Sequence, residues 1–339
     1  MNIALICPFS SGPGRGNITT VRRIAEHLPA VGCKVTTINL DCSSIIEQQT
    51  LLDQSRPDLL HAFHAYHAGP TARQASRLLG IPYMITITGS DLFDSSLCND
   101  PATRSAIQDA DAVSCFDPLV AQRLTKLFPH IGGRVAVIPQ GVAALPPGIP
   151  YSKQDAVFLI LLPAALRPVK GVTGAIAALA PLALELPTLR LLLVGGAIDP
   201  DYAEEVHNLA AGHPWISVIG DIPYHQMGGL YAAADIVMNA SIFEGGMSNA
   251  LLEAMVMGKP VLARDVLGNR SLVHHGETGW LYRTDEELRE CVRNLVFNPE
   301  LGAKTGDTGR EFVQKHCSPQ TEAKNYAAVY RRLIGQVKL

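Results

Sequence analysis

Short apolar runs recur along the chain and alternate with segments whose apolar residues are spaced as on one face of a helix. Asn2 to Cys7, Lys34 to Leu40, Pro57 to Phe63, Pro82 to Ile87, Asp109 to Cys115 and Arg134 to Ile138 predict strands, and Ile18 to Leu28, Thr71 to Leu79 and Asp117 to Leu127 predict helices between them. Ala143 to Lys153 carries Pro146, Pro147 and Pro150 without any period and predicts a linker. Periodicity then restarts. Strands are predicted at Val157 to Leu162, Arg190 to Val194, Ile216 to Ile219, Asp235 to Asn239 and Val261 to Ala263, with a long Ala/Leu-rich helix ending at Glu185. Strands alternating with helices imply parallel sheets covered on both faces. The chain therefore predicts two doubly wound α/β domains, residues 1–145 and 154–317, followed by a helix from Pro319 to Leu333 with Tyr326, Val329, Tyr330 and Leu333 on one face.

Composition narrows the class. A chain of 339 residues that is 47% hydrophobic can fill two cores. A net charge of -3 without any Lys/Arg-rich segment argues against a nucleic-acid partner. No apolar run is long enough to span a bilayer, and the first strand follows Met1 without a basic leader, so a cytoplasmic protein is expected. Seven scattered cysteines without a C-x-x-C pair read as reduced thiols and not as a disulfide frame or metal site.

Candidate chemistry concentrates in Ser241 to Tyr282. Gly245 and Gly246 let the backbone approach a ligand, and Ser248 or Asn249 can N-cap a helix carrying Leu251, Leu252, Met255 and Val256, which Gly258 ends. The free N–H groups and partial positive charge of a helix N-terminus suit a diphosphate. Glu253 lies one turn after Asn249 on the same face. It either accepts hydrogen bonds from ribose hydroxyls or lies on a solvated helix face. Arg167 and Lys170 follow the first strand of the second domain, at the carboxyl edge where open sheets bind ligands, and either neutralise a leaving diphosphate or merely solubilise a loop. In the first turn, Gly12, Gly14 and Gly16, with Asp41 closing the next strand, suggest a dinucleotide site. The spacing is G-x-G-x-G, which departs from the dehydrogenase pattern. His61, His64 and His67 have spacing suggestive of a metal site, but a strand end would not converge all three, and no metal is expected.

The combination of Glu244, Met247-Ser248-Asn249, Leu251 to Met255, Gly258-Lys259-Pro260-Val261, Gly268-Asn269 and Thr278 to Tyr282 resembles the donor-site signature of retaining GT-B glycosyltransferases of the large family 4 group. Gly16 to Arg23 and Pro139-Gln140-Gly141-Val142 are similar to a smaller branch, that of the glycosyltransferase 1 domain-containing protein 1 group and the bacterial selenosugar synthases. The resemblance implies a GT-B architecture, two Rossmann-like domains facing a cleft, with the C-terminal helix 319–337 packing back on the first. It implies Glu244 near the transferred sugar and Glu253 on the nucleotide ribose, although eight residues separate them here where the family has seven, Gly245-Gly246 replacing a single glycine. It further implies Arg167, Lys170, Gly245, Gly246, Met247, Ser248 and Asn249 on the donor, with Gly14, Gly16 and Asn17 facing the acceptor and the donor phosphates. The family often carries His-Gly-x-Asp after the strand that matches Pro82 to Ile87. This chain has Thr88-Gly89-Ser90-Asp91, so His64 at the neighbouring strand end is the alternative imidazole, with Asp91 beside it. The blander accounts are a satisfied loop histidine and a helix cap. Asp199-Pro200-Asp201 has the D-x-D form of metal-dependent glycosyltransferases, but capping of the following helix by Asp201 is the simpler account.

The sequence thus predicts a retaining glycosyltransferase that moves a hexosyl or N-acetylhexosaminyl group from a nucleoside diphosphate sugar to an unidentified acceptor, without metal or cofactor. A nucleotide-sugar epimerase of similar fold and a non-catalytic nucleotide-sugar-binding protein are the alternatives, and only the first turn suggests a dehydrogenase.

Overall fold

Each strand of the computed structural model, which describes residues 1–12 and 16–337, runs parallel to the neighbours it pairs with. In the first sheet, β1 (Asn2–Cys7), β2 (Lys34–Asn39), β3 (Leu59–Phe63), β4 (Tyr83–Thr86), β5 (Ala112–Cys115) and β6 (Val135–Val137) lie in the order β2-β1-β3-β4-β5-β6. In the second, β7 (Phe158–Pro163), β8 (Leu189–Val194), β9 (Ile216–Gly220), β10 (Ile236–Asn239), β11 (Val261–Arg264) and β12 (Trp280–Tyr282) lie in the order β12-β11-β10-β7-β8-β9. Helices cover both faces, which is why β3, β4, β5 and β10 are buried at every residue and read as continuous apolar runs.

Both sheets reverse their strand order once. The reversal falls between β1 and β3 in the first sheet and between β7 and β10 in the second. Ligands of open α/β sheets bind outside the carboxyl ends of the strands at this switch point. The loops that follow Cys7, Phe63, Pro163 and Asn239 are therefore the places to look for chemistry.

The chain divides into two units, Met1–Gly141 with Cys317–Leu339, and Val142–His316. The helix Pro319–Val337 closes one face of the first sheet, burying Ala323, Tyr326, Ala327, Tyr330 and Leu333 against Ile3, Leu5, Phe63 and Met84. Side chains of this size contribute roughly 1.5–3 kcal/mol each when fully buried. The two tyrosine hydroxyls find partners in the core. His61 Nδ1 lies 2.7 Å from Tyr330 Oη and Nε2 lies 2.6 Å from Thr86 Oγ1, which is itself 2.6 Å from Ser114 Oγ and 3.3 Å from Tyr326 Oη. Burial pushes the His61 imidazole down to about 3, so it stays neutral, with one nitrogen donating and the other accepting. Near the start of this helix, Glu322 accepts from Arg23 Nε at 2.8 Å and Nη2 at 3.0 Å, and Thr20 Oγ1 donates to Gln140 Oε1 at 2.6 Å. Gly141 stands against Pro319 so closely that a Cβ would lie 2.5 Å from the proline Cα.

The structure adds elements that the apolar pattern does not predict: the helices Ile45–Ser55, Pro101–Asp109, Asp285–Phe297 and Pro299–His316, and strand β12. The segment predicted as a linker belongs to the second unit, where Lys153 Nζ reaches Asp235 at 2.7 and 2.8 Å. Its Pro146 and Ile149 carbonyls lie against Gly228 and Gly229 of the helix Met227–Ala233, leaving no room there for a Cβ.

Candidate functional site

The second unit's switch point is built around Asn239, the last residue of β10. Its side chain uses both ends. Nδ2 donates to Ser248 Oγ at 3.0 Å and to Glu244 Oε1 at 3.3 Å, while Oδ1 accepts from Ser241 N at 3.0 Å and Asn269 Nδ2 at 3.3 Å. One buried amide thus fixes the turn 241–248 to the short helix Leu267–Arg270 that follows β11. Gly268 N donates to the Glu244 carbonyl at 3.2 Å and adds a second tie. Sequence reasoning passed over Asn239 and Ser241, although a polar residue ending an apolar strand at a carboxyl edge was a usable signal.

Glu244 is the charged centre of this turn. Its Oε1 accepts from Lys170 Nζ at 2.6 Å and from Ser241 Oγ at 2.7 Å, and both partners of the ion pair are largely buried. Burial pushes the Glu244 carboxyl upward, but the Lys170 charge and the bonds from Lys170, Ser241 and Asn239 outweigh it and hold the group below the usual carboxylate range. Lys170 ends the turn Pro168–Lys170 after β7, and Arg167 precedes it on an exposed position. The loops of two adjacent strands at the switch point therefore bring a cation and an anion together.

The helix Asn249–Val256 begins directly after this turn. Ser248 occupies the N-cap position, yet its side chain makes no capping bond, and its Oγ accepts from Asn239 Nδ2 instead. Gly245 and Gly246 are buried in the turn, while Met247 and Asn249 are partly exposed at the helix start. Glu253 is not on a solvated face. It is 8% exposed and accepts from the Tyr231 hydroxyl at 2.8 Å. Burial first, and then the neighbouring Glu253 charge, push the Tyr231 phenol well above its ordinary value, so it remains a donor.

In the first unit, Asp41 closes the first turn by accepting from Ser10 N at 2.9 Å and Ser10 Oγ at 3.2 Å. Gly16 and Asn17 open the helix Gly16–His27, and Gly14 lies outside the described residues. His64 follows β3 with φ 78°, a left-handed conformation that is strained for a histidine. It is 4% exposed, with Nε2 2.9 Å from Ser90 Oγ, and it packs against His67 at a centroid distance of 4.4 Å. Asp91 is fully buried and accepts from the backbone N–H groups of Ala65 at 2.8 Å, Gly89 at 2.8 Å and Thr88 at 3.1 Å. His64 and Asp91 thus share the carboxyl ends of β3 and β4, and Asp91 ties the two loops together.

Asp199, not Asp201, caps the helix Pro200–Ala211, its carboxylate accepting from Tyr202 N at 3.1 Å. The physical reason is Pro200, whose fixed φ and missing N–H place it at the first helical position and the cap one residue before it. Among the described residues, no group of three or more His, Cys, Asp or Glu side chains is arranged to hold a metal, and no helix is long and apolar enough to cross a membrane.

Comparison with known proteins agrees with this architecture. The family described as "Glycosyl transferases group 1" matches residues 157–298, and the "Glycosyl transferase 4-like domain" matches residues 28–141. Glycosyltransferase 1 domain-containing protein 1 of Xenopus tropicalis is 27% identical over 94% of this chain and 94% of its own length. Alpha-maltose-1-phosphate synthase of Mycolicibacterium smegmatis is 26% identical over 80% and 78%. Among solved structures, sucrose-phosphate synthase from Thermosynechococcus elongatus superposes with a TM-score of 0.83 at 21% identity over 99% of both chains. Anabaena HepE in complex with UDP-glucose gives 0.78 at 19% identity over 98% of this chain and 100% of its own. Both are GT-B structures, and the fold is theirs. Two doubly wound units, the switch-point loops and the matches to both halves lead to one conclusion: the chain belongs to the group 1 glycosyltransferases, in the GT-B, family 4 class.

Proposed function

We propose that the protein is a retaining glycosyltransferase whose second unit binds a nucleoside diphosphate sugar. The observation that carries this reading is the Lys170–Glu244 pair, two opposite charges 2.6 Å apart on loops that leave adjacent strands at the switch point, directly before the Glu253 helix. An ammonium has three N–H groups, so Lys170 can keep Glu244 and still donate to a phosphate oxygen. With Arg167 it offsets the charge that grows on the diphosphate as the glycosyl bond breaks. The helix N-terminus at Ser248 and Asn249 adds free N–H groups, Glu253 accepts from the ribose hydroxyls, and Glu244 faces the sugar. No step requires a metal or a cofactor.

The complex of HepE with UDP-glucose makes uridine the first base to test. Thermal shift against UDP, ADP and GDP sugars should show one donor family raising the melting temperature, because a ligand that binds only the native state stabilises it. In titration calorimetry, Lys170→Ala should lower nucleoside diphosphate affinity about tenfold to a hundredfold, the magnitude of a charged hydrogen bond. Parental affinity in that variant would remove Lys170 from the donor site. A retained anomeric configuration by NMR of the product separates this reading from inversion, and a new sugar nucleotide formed without acceptor would favour an epimerase.

A further inference from the structure

We infer that Asn239 is a positioning residue for Glu244, turning its carboxylate so that one oxygen is spent on the protein and the other is offered to a hydroxyl of the donor's glycosyl group. The inference rests on the donor reading above and adds which residue sets the geometry for the sugar half. What carries it is an asymmetry within the carboxylate. Oε1 takes three donors, Lys170 Nζ at 2.6 Å, Ser241 Oγ at 2.7 Å and Asn239 Nδ2 at 3.3 Å. An oxygen with two lone pairs is then saturated. Among the described residues no donor reaches Oε2, and the side chain is 14% exposed, so Oε2 is the acceptor left for a ligand.

The chemistry of the three donors decides which of them selects the oxygen. An ammonium on a flexible stem is a point charge with rotatable N–H groups, and it pairs equally well with either oxygen of a carboxylate. Lys170 therefore supplies charge without direction. Direction comes from Asn239, whose amide has one orientation: Ser241 N–H is a donor only and stands 3.0 Å from Oδ1, which turns Nδ2 toward Glu244 Oε1 and Ser248 Oγ. Holding Ser241 N also fixes the residue whose Oγ is the second donor to Oε1. Two of the three bonds on Oε1 thus trace to one amide. That amide is 5% exposed and ends β10, which pairs with β7 on one side and β11 on the other. It is anchored in the sheet and acts on a ligand through Glu244.

The test uses the full chain, with UDP-, ADP- and GDP-glucose as probes, and the nucleoside diphosphate of whichever base binds. Titration calorimetry gives two dissociation constants for each variant, and their ratio isolates the glycosyl half. Asn239→Leu keeps the net charge and nearly the shape, and removes both ends of the amide. It should weaken the nucleotide sugar about tenfold and the nucleoside diphosphate less than about twofold. Ser241→Ala removes a single donor to Oε1 and should shift the ratio in the same direction by about threefold, which decides the matter if the leucine variant does not fold. In a Glu244→Gln background Asn239→Leu should shift the ratio no further, since the carboxylate it turns is gone. Equal weakening of both ligands would mean general damage to the turn and would overturn the inference, as would unchanged constants. A full shift that persists in the Glu244→Gln background would overturn it too, because Asn239 would then act by another route. Absence of binding by the parent to all three nucleotide sugars and to their nucleoside diphosphates would sink the donor reading first, and the inference with it, before any variant is compared.

Discussion

At the scale of single residues, the site holds its charges through short-range bonds whose loss has a definite sign. Glu244 titrates below its unfolded value, so the stability it contributes is fully present above the ordinary glutamate range, about 4.3, and is lost as the pH falls through the depressed folded value. Urea unfolding of the parent and of Glu244→Gln should therefore differ most near pH 7 and converge as the pH falls through the depressed folded value, below which both carry a neutral group. A difference that is constant with pH would show that the Lys170–Glu244 charge is irrelevant to folding. Asp91 behaves differently because its carboxylate is spent on backbone N–H groups of two loops. Asp91→Asn turns an amide donor toward those donors, and should cost about 1–3 kcal/mol of stability as well as turnover, measured by chemical denaturation and by nucleoside diphosphate release. Turnover lost at parental stability would instead give Asp91 a direct part in the reaction. Glu253 and Lys170 were legible as candidates because their positions follow from the signature. Tyr231 was not legible, since its bond to Glu253 joins two elements 22 residues apart and leaves no trace in local spacing.

Among the elements, the central strands β3, β4, β5 and β10 stand out most plainly, because parallel strands covered on both faces need apolar residues at nearly every position. The helix Ile45–Ser55 did not stand out. Its apolar pair Ile45 and Ile46 is 84% and 79% exposed, only Leu52 is buried, and no core-facing stripe exists to be seen. What marks its start is the capping box in which Ser44 and Glu47 satisfy each other's backbone N–H groups, a signal that lies in polar residues. The segment after Gly141 illustrates the converse. Its prolines predict a loose connection, yet part of it is backbone packed on backbone at Gly228 and Gly229. Gly228→Ala should force the Pro146 carbonyl away, at a cost of about 1–3 kcal/mol for overpacking, and should speed proteolytic cleavage within residues 143–150. Unaltered melting temperature and cleavage rate would show that the contact gives way freely.

For the whole molecule, the decisive fact is that the first unit is assembled from two pieces of chain. The face formed by Ile3, Leu5, Phe63 and Met84 is covered by a helix that follows the entire second unit in sequence. Ending the chain at His316 should leave that face bare, and the shortened protein should aggregate or expose apolar surface to a dye. Retained monomeric folding would mean the helix is dispensable. The close approach of Gly141 to Pro319 carries a consequence for how such a chain can be cut and rejoined. The backbone leaves the first unit and re-enters it at nearly the same point, so in topological terms the second unit is an insert in a closed host. Excising residues 142–316 and joining Gly141 to Cys317 through a few flexible residues should give a short protein that keeps the parallel sheet, the His61 core joint and the Arg23–Glu322 pair. A dispersed amide spectrum with protected β1 and β3 would establish the host as an autonomous fold, and a collapsed spectrum would show that insert and host must be made together.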